Sequence, residues 1–286
     1  MTATLRCGRF TFDLGRPLVM GILNVTPDSF SDGGRYIDPE LALKHARRMR
    51  DDGADLIDIG GESSRPGAVS VSEADELARV LPLVEVLAAE GMAVAVDSRK
   101  PSVMRATIAA GAALINDIGA LSAPGAVEAC AHGEAGVCLM HMQGEPRTMQ
   151  AAPAYGDVVA EVRDFLVARA RACEAAGIAR ARIVIDPGFG FGKTLAHNLA
   201  LLRSIGTLAA TGYPVLAGLS RKASLGEITG RKVDERLATS LAAALAAVAR
   251  GAAIVRVHDV RETVDALKLW QAVDPVSSTH CMTHSR

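Results

Sequence analysis

The stretch Met20–Gly34 (MGILNVTPDSFSDGG) concentrates groups that can do chemistry. An apolar run, Val19–Leu23, stops at Asn24, and the chain opens into Thr26, Pro27, Asp28, Ser29, Ser31 and Asp32 before Gly33 and Gly34. Such side chains can bond a phosphate, a metal or a metal-bound water, and Phe30 sets a flat apolar face among them. They read as a mobile active-site loop. The plainer reading is a solvated turn, since Pro, Asp, Ser and Gly are ordinary turn formers. Polar groups recur at the ends of the other apolar runs. Asp58 leads to Glu62, Ser63, Ser64, Arg65 and Pro66; Asp97, Asn116 with Asp117, His141 and Asp186 follow; Ser220-Arg221-Lys222 and Arg256 with His258 complete the set.

The mixture has a chemical logic. Asp97, Asn116 and Asp186 could form a hydrogen-bonding crown, because a carboxylate accepts two parallel N–H bonds and suits an amidine-like edge such as that of a pterin or guanine. Alternatively, these carboxylates pair with Lys222 or Arg256 in a structural network. Ser64, Arg65, Arg256 and His258 make a cationic rim suited to phosphate. Asn24 offers the neutral oxygen that Mg²⁺ accepts when phosphate oxygens and waters complete its shell, or else caps a turn. Lys222 serves as a charged donor to a heterocycle; a Schiff-base role is the rival. Gly192-Lys193-Thr194 looks like the end of a phosphate-binding P-loop, but the Gly that motif needs five residues before Gly192 is Pro187. The glycines of Asp186–Thr194 instead let backbone approach a flat ligand, with Phe189 or Phe191 beside it.

These groups need a frame. Short apolar runs alternate with helical stretches: Val19–Leu23, Leu56–Ile59, Ala93–Val96, Ala113–Ile115, Gly136–Met140, Ile183–Ile185, Val215–Ala217 and Ile254–Val257. Helical patterning occupies Pro39–Arg50 (with Leu41, Leu43, His45 and Met49), Ser72–Glu90 with Ser72 as cap, Asp157–Ala176, Leu237–Arg250 and Thr263–Ala272. Strands apolar on both faces and separated by helices pair in parallel, and eight such units match an α/β fold of the (β/α)8 TIM-barrel class. An open doubly wound sheet would need a Gly-rich fingerprint after the first strand, which Asn24–Gly34 does not supply. Thr4–Cys7 and Arg9–Phe12 alternate around Gly8 and predict a short N-terminal β-hairpin within residues 4–18, plugging the barrel bottom. Residues 1–274 form one domain in this reading, and 275–286 a disordered tail.

In such a barrel the site lies at the C-terminal strand ends, where the polar groups fall. Composition narrows the partners. The 286 residues are 49% apolar, and 31 basic residues nearly cancel 32 acidic ones, so bulk charge gives no nucleic-acid or membrane binding. No secretory leader pattern opens the chain, and the most lipid-like stretch, Leu237–Ala249, falls short of the ~20 residues of a spanning helix. Five cysteines without a CxxC pair argue against a disulfide framework or zinc site and for a reducing, cytoplasmic setting. His280, Cys281 and His284 are close in sequence, but an unanchored tail leaves them nothing to orient a metal.

At this point the residues resemble a family, the dihydropteroate synthases, over roughly residues 17–273. The motifs are Met20–Gly34, Asp58–Gly67 (DIGGESSRPG), Asp97-Ser98, Asn116-Asp117-Ile118, Leu139–Gln143, Asp186–Lys193, Ser220–Lys222 and Arg256–Val260, in order. The resemblance implies a TIM-barrel homodimer that joins 4-aminobenzoate to 7,8-dihydropterin-6-ylmethyl diphosphate with Mg²⁺, the target of sulfonamides. It implies Asn24 as the metal ligand. Asp97, Asn116, Asp186 and Lys222 would hold the pterin, and Arg256, Val257, His258 and Ser64 would contact pterin or diphosphate. Phe30, Arg65, Pro66, Phe189 and Ser220 would surround aminobenzoate. Ser64 stands where many members carry Thr, and Arg99 could add charge at the rim. The alternatives are a pterin-dependent methyltransferase-type barrel, a non-catalytic pterin-binding barrel and a Schiff-base aldolase.

Overall fold

A computed structural model describes residues 3–26, 38–63, 71–145 and 147–273. The strands are β1 (Thr4–Cys7), β2 (Phe10–Asp13), β3 (Leu18–Asn24), β4 (Leu56–Gly60), β5 (Val94–Asp97), β6 (Leu114–Asp117), β7 (Gly136–Met140), β8 (Ile183–Asp186), β9 (Leu216–Ala217) and β10 (Ile254–Val257). The helices are α1 (Pro39–Asp51), α2 (Glu73–Ala89), α3 (Pro101–Ala109), α4 (Ala126–Ala131), α5 (Val158–Ala175), α6 (Leu195–Arg203), α7 (Ile205–Ala209), α8 (Ala223–Thr229), α9 (Leu237–Val248) and α10 (Val260–Val273).

The strands β3 to β10 form one parallel sheet in the order β8-β7-β6-β5-β4-β3-β10-β9. Its two ends meet through a parallel bridge between Ile185 and Val215, where the Ile185 N–H donates to the Pro214 carbonyl at 3.0 Å. The barrel expected from the eight apolar runs is therefore present, each run holding a strand.

Alternation along the strands sorts their side chains into two layers. Val19, Ile57, Val96, Ile115, Val137, Ile185 and Val255 face the helices and form the larger core with residues such as Leu43, Val84 and Leu166. Met20, Leu56, Ala95, Leu114, Cys138, Val184, Leu216 and Ile254 fill the barrel's N-terminal end, with Leu5 and Cys7 of β1 among them. β1 pairs antiparallel with β2, so the expected hairpin exists and closes that end.

The helices start at their polar caps. Asp38 accepts from the Glu40 N–H at 2.9 Å, Ser72 from the Asp75 N–H at 3.1 Å, and Asp157 from the Val159 N–H at 2.9 Å. On α1 the buried face is Ala42, Leu43, Ala46 and Met49, and Leu41 turns out to solvent. Helix α10 begins at Val260, three residues before the expected Thr263. Helices α3, α4, α6, α7 and α8 have no counterpart in the sequence reading, because they are short and lack a full amphipathic repeat. Cys7, Cys130, Cys138 and Cys173 are buried, and burial pushes the Cys7 and Cys130 thiols up to about 12, which makes them packing groups. Among the described residues no helix is long and apolar enough to cross a membrane. The expected tail, with His280, Cys281 and His284, lies outside the described residues, as do Phe30, Ser64, Arg65 and Pro66.

Candidate active site at the barrel mouth

Two residues beyond the apolar bottom layer, the same inward face turns polar. Leu56 is followed by Asp58, Ala95 by Asp97, Leu114 by Asn116, Val184 by Asp186 and Ile254 by Arg256. A step of two residues keeps a side chain on the same face of a strand, so these five groups converge at the C-terminal end of the barrel.

Arg256 is the hub. Its Nε donates to Asp58 Oδ2 at 2.5 Å and its Nη2 to Asp97 Oδ2 at 3.0 Å. Asn116 Nδ2 donates to Asp58 Oδ2 at 3.1 Å. Asp58 is fully buried, and its Oδ1 has no partner among the described residues. Burial works against the Arg256 charge, but the Asp58 and Asp97 carboxylates overcome it and hold the guanidinium's pKa above its ordinary value. Burial pushes Asp97 up to about 7 against the pull of Arg256, with Asp58 and Asp117 adding like charge. The two shifts look opposed for one ion pair. They are reconciled because Asp97 shares Arg256 with the fully buried Asp58, so one guanidinium answers two carboxylates.

Lys222 follows β9. Burial and repulsion from Arg256 lower it to about 8, and Asp186 opposes that shift. Its ammonium sits 4.2 Å from the centre of the Phe191 ring, a cation–π contact. Arg221, between Ser220 and Lys222, takes a left-handed conformation (φ 57°). The Ser240 hydroxyl accepts its N–H at 3.0 Å, Arg236 Nη1 bonds its carbonyl at 3.1 Å, and Asp259 pairs with its guanidinium. This held turn sets Ser220 against β10, where its Oγ lies 3.0 Å from His258 Nδ1 and accepts the His258 N–H at 3.2 Å.

Asp186 accepts the Gly188 N–H at 2.7 Å, and burial raises its pKa against the pull of that bond and of Lys222. The loop that follows packs tightly on the end of β7. A Cβ on Gly188 would come within 2.0 Å of the His141 carbonyl oxygen, and one on Gly192 within 2.3 Å of that of Gln143. Both residues have positive φ, so glycine is required twice over. The glycines of Asp186–Thr194 thus serve a close approach between two loops. Of the two aromatics considered for this loop, Phe191 meets Lys222, while Phe189 is 1% exposed in the core. Val257 likewise points into the outer core, away from the mouth, because it alternates with Arg256.

Asn24 ends β3 beside Gly60 and Asp97. Its amide takes no hydrogen-bond partner among the described residues. Asp117 is a clamp: its two oxygens accept the Gly119 and Leu121 N–H groups, each at 2.7 Å. Arg99 turns to Glu62 at 3.7 Å. Lys100 bonds both Glu62 and Glu76 at the root of the segment leading to Ser64.

The structure brings together Asn24, Asp97, Asn116, Asp186, Lys222, Arg256, His258 and Ser220 at one end of the barrel. The network alternative holds in part, since Asp97 pairs with Arg256. Asp58 was read among the polar strand ends but given no role of its own, although its position two after Leu56 sets it on the inward face. Lys193 was set aside with the failed P-loop match.

Comparison with known proteins agrees. The family model described as "Pterin binding enzyme" matches residues 20–258. A dihydropteroate synthase of Neisseria meningitidis is 52% identical over 275 residues, covering 94% of this chain and 96% of that protein. That of Escherichia coli is 51% identical over 263 residues, covering 92% and 93%. Among solved structures, Xanthomonas albilineans dihydropteroate synthase with 4-aminobenzoic acid aligns at TM-score 0.91 and 54% identity, covering 96% of this chain and 100% of that one. The Burkholderia cenocepacia enzyme complexed with 7,8-dihydropteroate aligns at 0.88 and 54%, covering 96% and 97%.

Proposed function

The chain belongs to the dihydropteroate synthase family, transferases of folate biosynthesis, and we propose that its barrel mouth carries out that reaction in the following way. 4-Aminobenzoate and 7,8-dihydropterin-6-ylmethyl diphosphate enter; a C–N bond forms at the methylene, the C–O bond to diphosphate breaks, and the amine proton leaves with the products dihydropteroate and diphosphate. The observation that carries this assignment is the surplus of acceptors in the mouth: Asp58, Asp97 and Asp186 crowd around Arg256 and Lys222, and Asp58 Oδ1 has no partner among the described residues. Buried polar atoms are rarely left unpaired, and a pterin's N–H-rich edge supplies the missing donors.

Asp186 and Asn116 hold that edge, Lys222 donates to the opposite side of the ring, and Asp97 accepts a further N–H. Arg256, His258 and Ser64 receive diphosphate. Phe30, Arg65, Pro66 and Ser220 border aminobenzoate. The transfer is SN1-like: diphosphate departs first, because the dihydropterin ring delocalises the charge left on its methylene, and the Asp97 and Asp186 carboxylates favour that cation. An aniline nitrogen is already nucleophilic, so no strong base is needed. Closure of Thr26–Gly34 and Ser63–Gly67 then completes the aminobenzoate pocket, which makes the reaction ordered.

Asn24 fits Mg²⁺. Among the described residues its neutral oxygen has no hydrogen-bond partner, and no three His, Cys, Asp or Glu form a metal cluster. A cation bound by few protein groups and completed by phosphate oxygens and waters is the ordinary mode for Mg²⁺. When bound, it would neutralise charge on the leaving diphosphate. A homodimer is supported by exposed apolar residues on and between the last three helices: Ile228 of α8, Val233 in the connection to α9, Leu237 of α9, and Leu269 and Val273 of α10. The free, buried cysteines suit a cytoplasmic setting.

The test is product formation from the two substrates with and without Mg²⁺, together with aminobenzoate binding in the presence and absence of diphosphate. Dihydropteroate should form, and aminobenzoate should bind appreciably only with diphosphate. Equal aminobenzoate affinity in both cases would contradict the ordered scheme.

A further inference from the structure

Lys193 is 3% exposed; burial lowers its pKa to about 7 against the pull of Asp186, so on the acid side of neutrality it carries an ammonium. Its Nζ lies 2.9 Å from the Phe191 carbonyl, 3.0 Å from that of Gly188 and 3.2 Å from that of His141. A fourth neighbour is His141 Nδ1 at 3.0 Å. All four are acceptors, provided that the His141 ring is neutral with its proton on Nε2. Burial and the adjacent lysine drive the His141 pKa down to about 3, consistent with that state. The ring is fixed by an edge contact to Phe165 at 5.0 Å between centroids. An ammonium has three donors, so this cage uses its bonding capacity without recourse to water.

We propose that Lys193 is a positioning residue for pterin recognition: its ammonium staples the loop after β8 to the end of β7, and so fixes the Asp186 carboxylate and the Phe191 ring that supports Lys222. The geometry leaves it little else to do. Gly188, whose carbonyl it holds, donates to Asp186 Oδ1 from its other face. Phe191, whose carbonyl it also holds, places its ring 4.2 Å from Lys222 Nζ. Other bonds steady the same loop, with Asn198 Oδ1 accepting the Gly190 N–H at 2.8 Å and Tyr155 donating to the Gly192 carbonyl at 2.8 Å. These are neutral and peripheral; Lys193 alone brings a charge into the loop's interior.

That charge acts on Asp186 as well. The groups facing Asp186 are Lys222 from the turn after β9, Arg256 from β10, Lys193 from its own loop and the buried Cys138 thiol of β7. Removing Lys193 takes one of three cations from that carboxylate and raises its pKa in the folded protein. Pterin binding that needs Asp186 ionised must then weaken first at acid pH.

This inference rests on the assignment of Asp186 to the pterin edge. The experiment is steady-state kinetics and pterin diphosphate calorimetry on Lys193→Met, Lys193→Arg and Asp186→Asn. Lys193→Met should raise KM for the pterin about tenfold and leave KM for 4-aminobenzoate within about twofold, with the acid limb of pterin affinity moved up by about one pH unit. Lys193→Arg, which keeps the charge, should restore the acid limb to its original position. If Lys193→Met does not fold, His141→Phe removes the Nδ1 acceptor and leaves the three carbonyls, and should raise the same KM about threefold. Parallel losses for both substrates, or an unmoved acid limb, would make Lys193 a stability element only and overturn the proposal. A neutral Asp186→Asn would instead overturn the pterin assignment beneath it.

Discussion

The two ends of this barrel are built from the same strands and have opposite chemistry. At the N-terminal end Leu5, Cys7, Met20, Leu56, Leu114, Val184 and Ile254 form a dry plug. One step of two residues further on, Asp58, Asn116, Asp186 and Arg256 face one another across the same axis. Nothing in strand geometry distinguishes the two layers. The difference shows that the plug supplies the stability against which a costly cluster of buried charges can be held. Breaking the plug should cost folding; breaking the mouth should cost ligand binding, and folding only where a charge is left alone.

The largest effect follows from stranding charges. Arg256→Ala leaves Asp58 buried without its cation and should cost about 3–5 kcal/mol of stability near neutral pH, read by urea unfolding. The sign with pH is fixed: a carboxylate deprived of its partner holds its proton in the folded state more tightly than in the unfolded chain, so the loss shrinks as pH falls. A pH-independent loss would show that the hub is not electrostatic. At the other end, Leu114→Ala should cost about 2–5 kcal/mol through lost burial and a residual cavity. That cost should be the same from acid to neutral pH, since no group in the plug titrates there. A pterin affinity that fell with it would mean that the two ends are not separable.

A smaller effect isolates Asp97. Its unfolded value is near 3.8 and its folded value about 7. Between the two the folded protein holds a proton that the unfolded chain has lost, so stability must fall as pH rises through that window. Asp97→Asn should flatten the slope of unfolding free energy there; an unchanged slope would place the proton on Asp186 or Asp117 instead. The smallest is Ser72→Ala, which removes the cap of α2 and should cost about 1 kcal/mol of stability, read by urea unfolding.

Much of this contrast could be read in the chain. The eight strands were legible because each is apolar on both faces, and the hairpin because alternation breaks at Gly8. The polar strand ends identified Asp97, Asn116, Asp186, Lys222 and Arg256 as neighbours once the barrel was inferred. What escaped depends on closure. Asp58 and Arg256 are 198 positions apart and meet only because β10 pairs with β3 and β3 with β4. Lys193 entered only through the failed P-loop match, since nothing in FGFGKT reveals that four acceptors surround its Nζ. Phe189 and Val257 were placed by family resemblance, and their burial in the core followed from strand and loop geometry that spacing alone does not supply. The short helices stayed hidden because one or two turns carry too little periodicity.

The most direct test of the contrast is pterin diphosphate calorimetry on Asp186→Asn, run beside thermal unfolding of the same protein. The substitution exchanges one acceptor oxygen for a donor at the mouth and leaves the plug intact. Binding should weaken by about 2–4 kcal/mol, while unfolding stays close to that of the unaltered chain. Near-normal pterin affinity in that variant would contradict the assignment of the mouth as the pterin site.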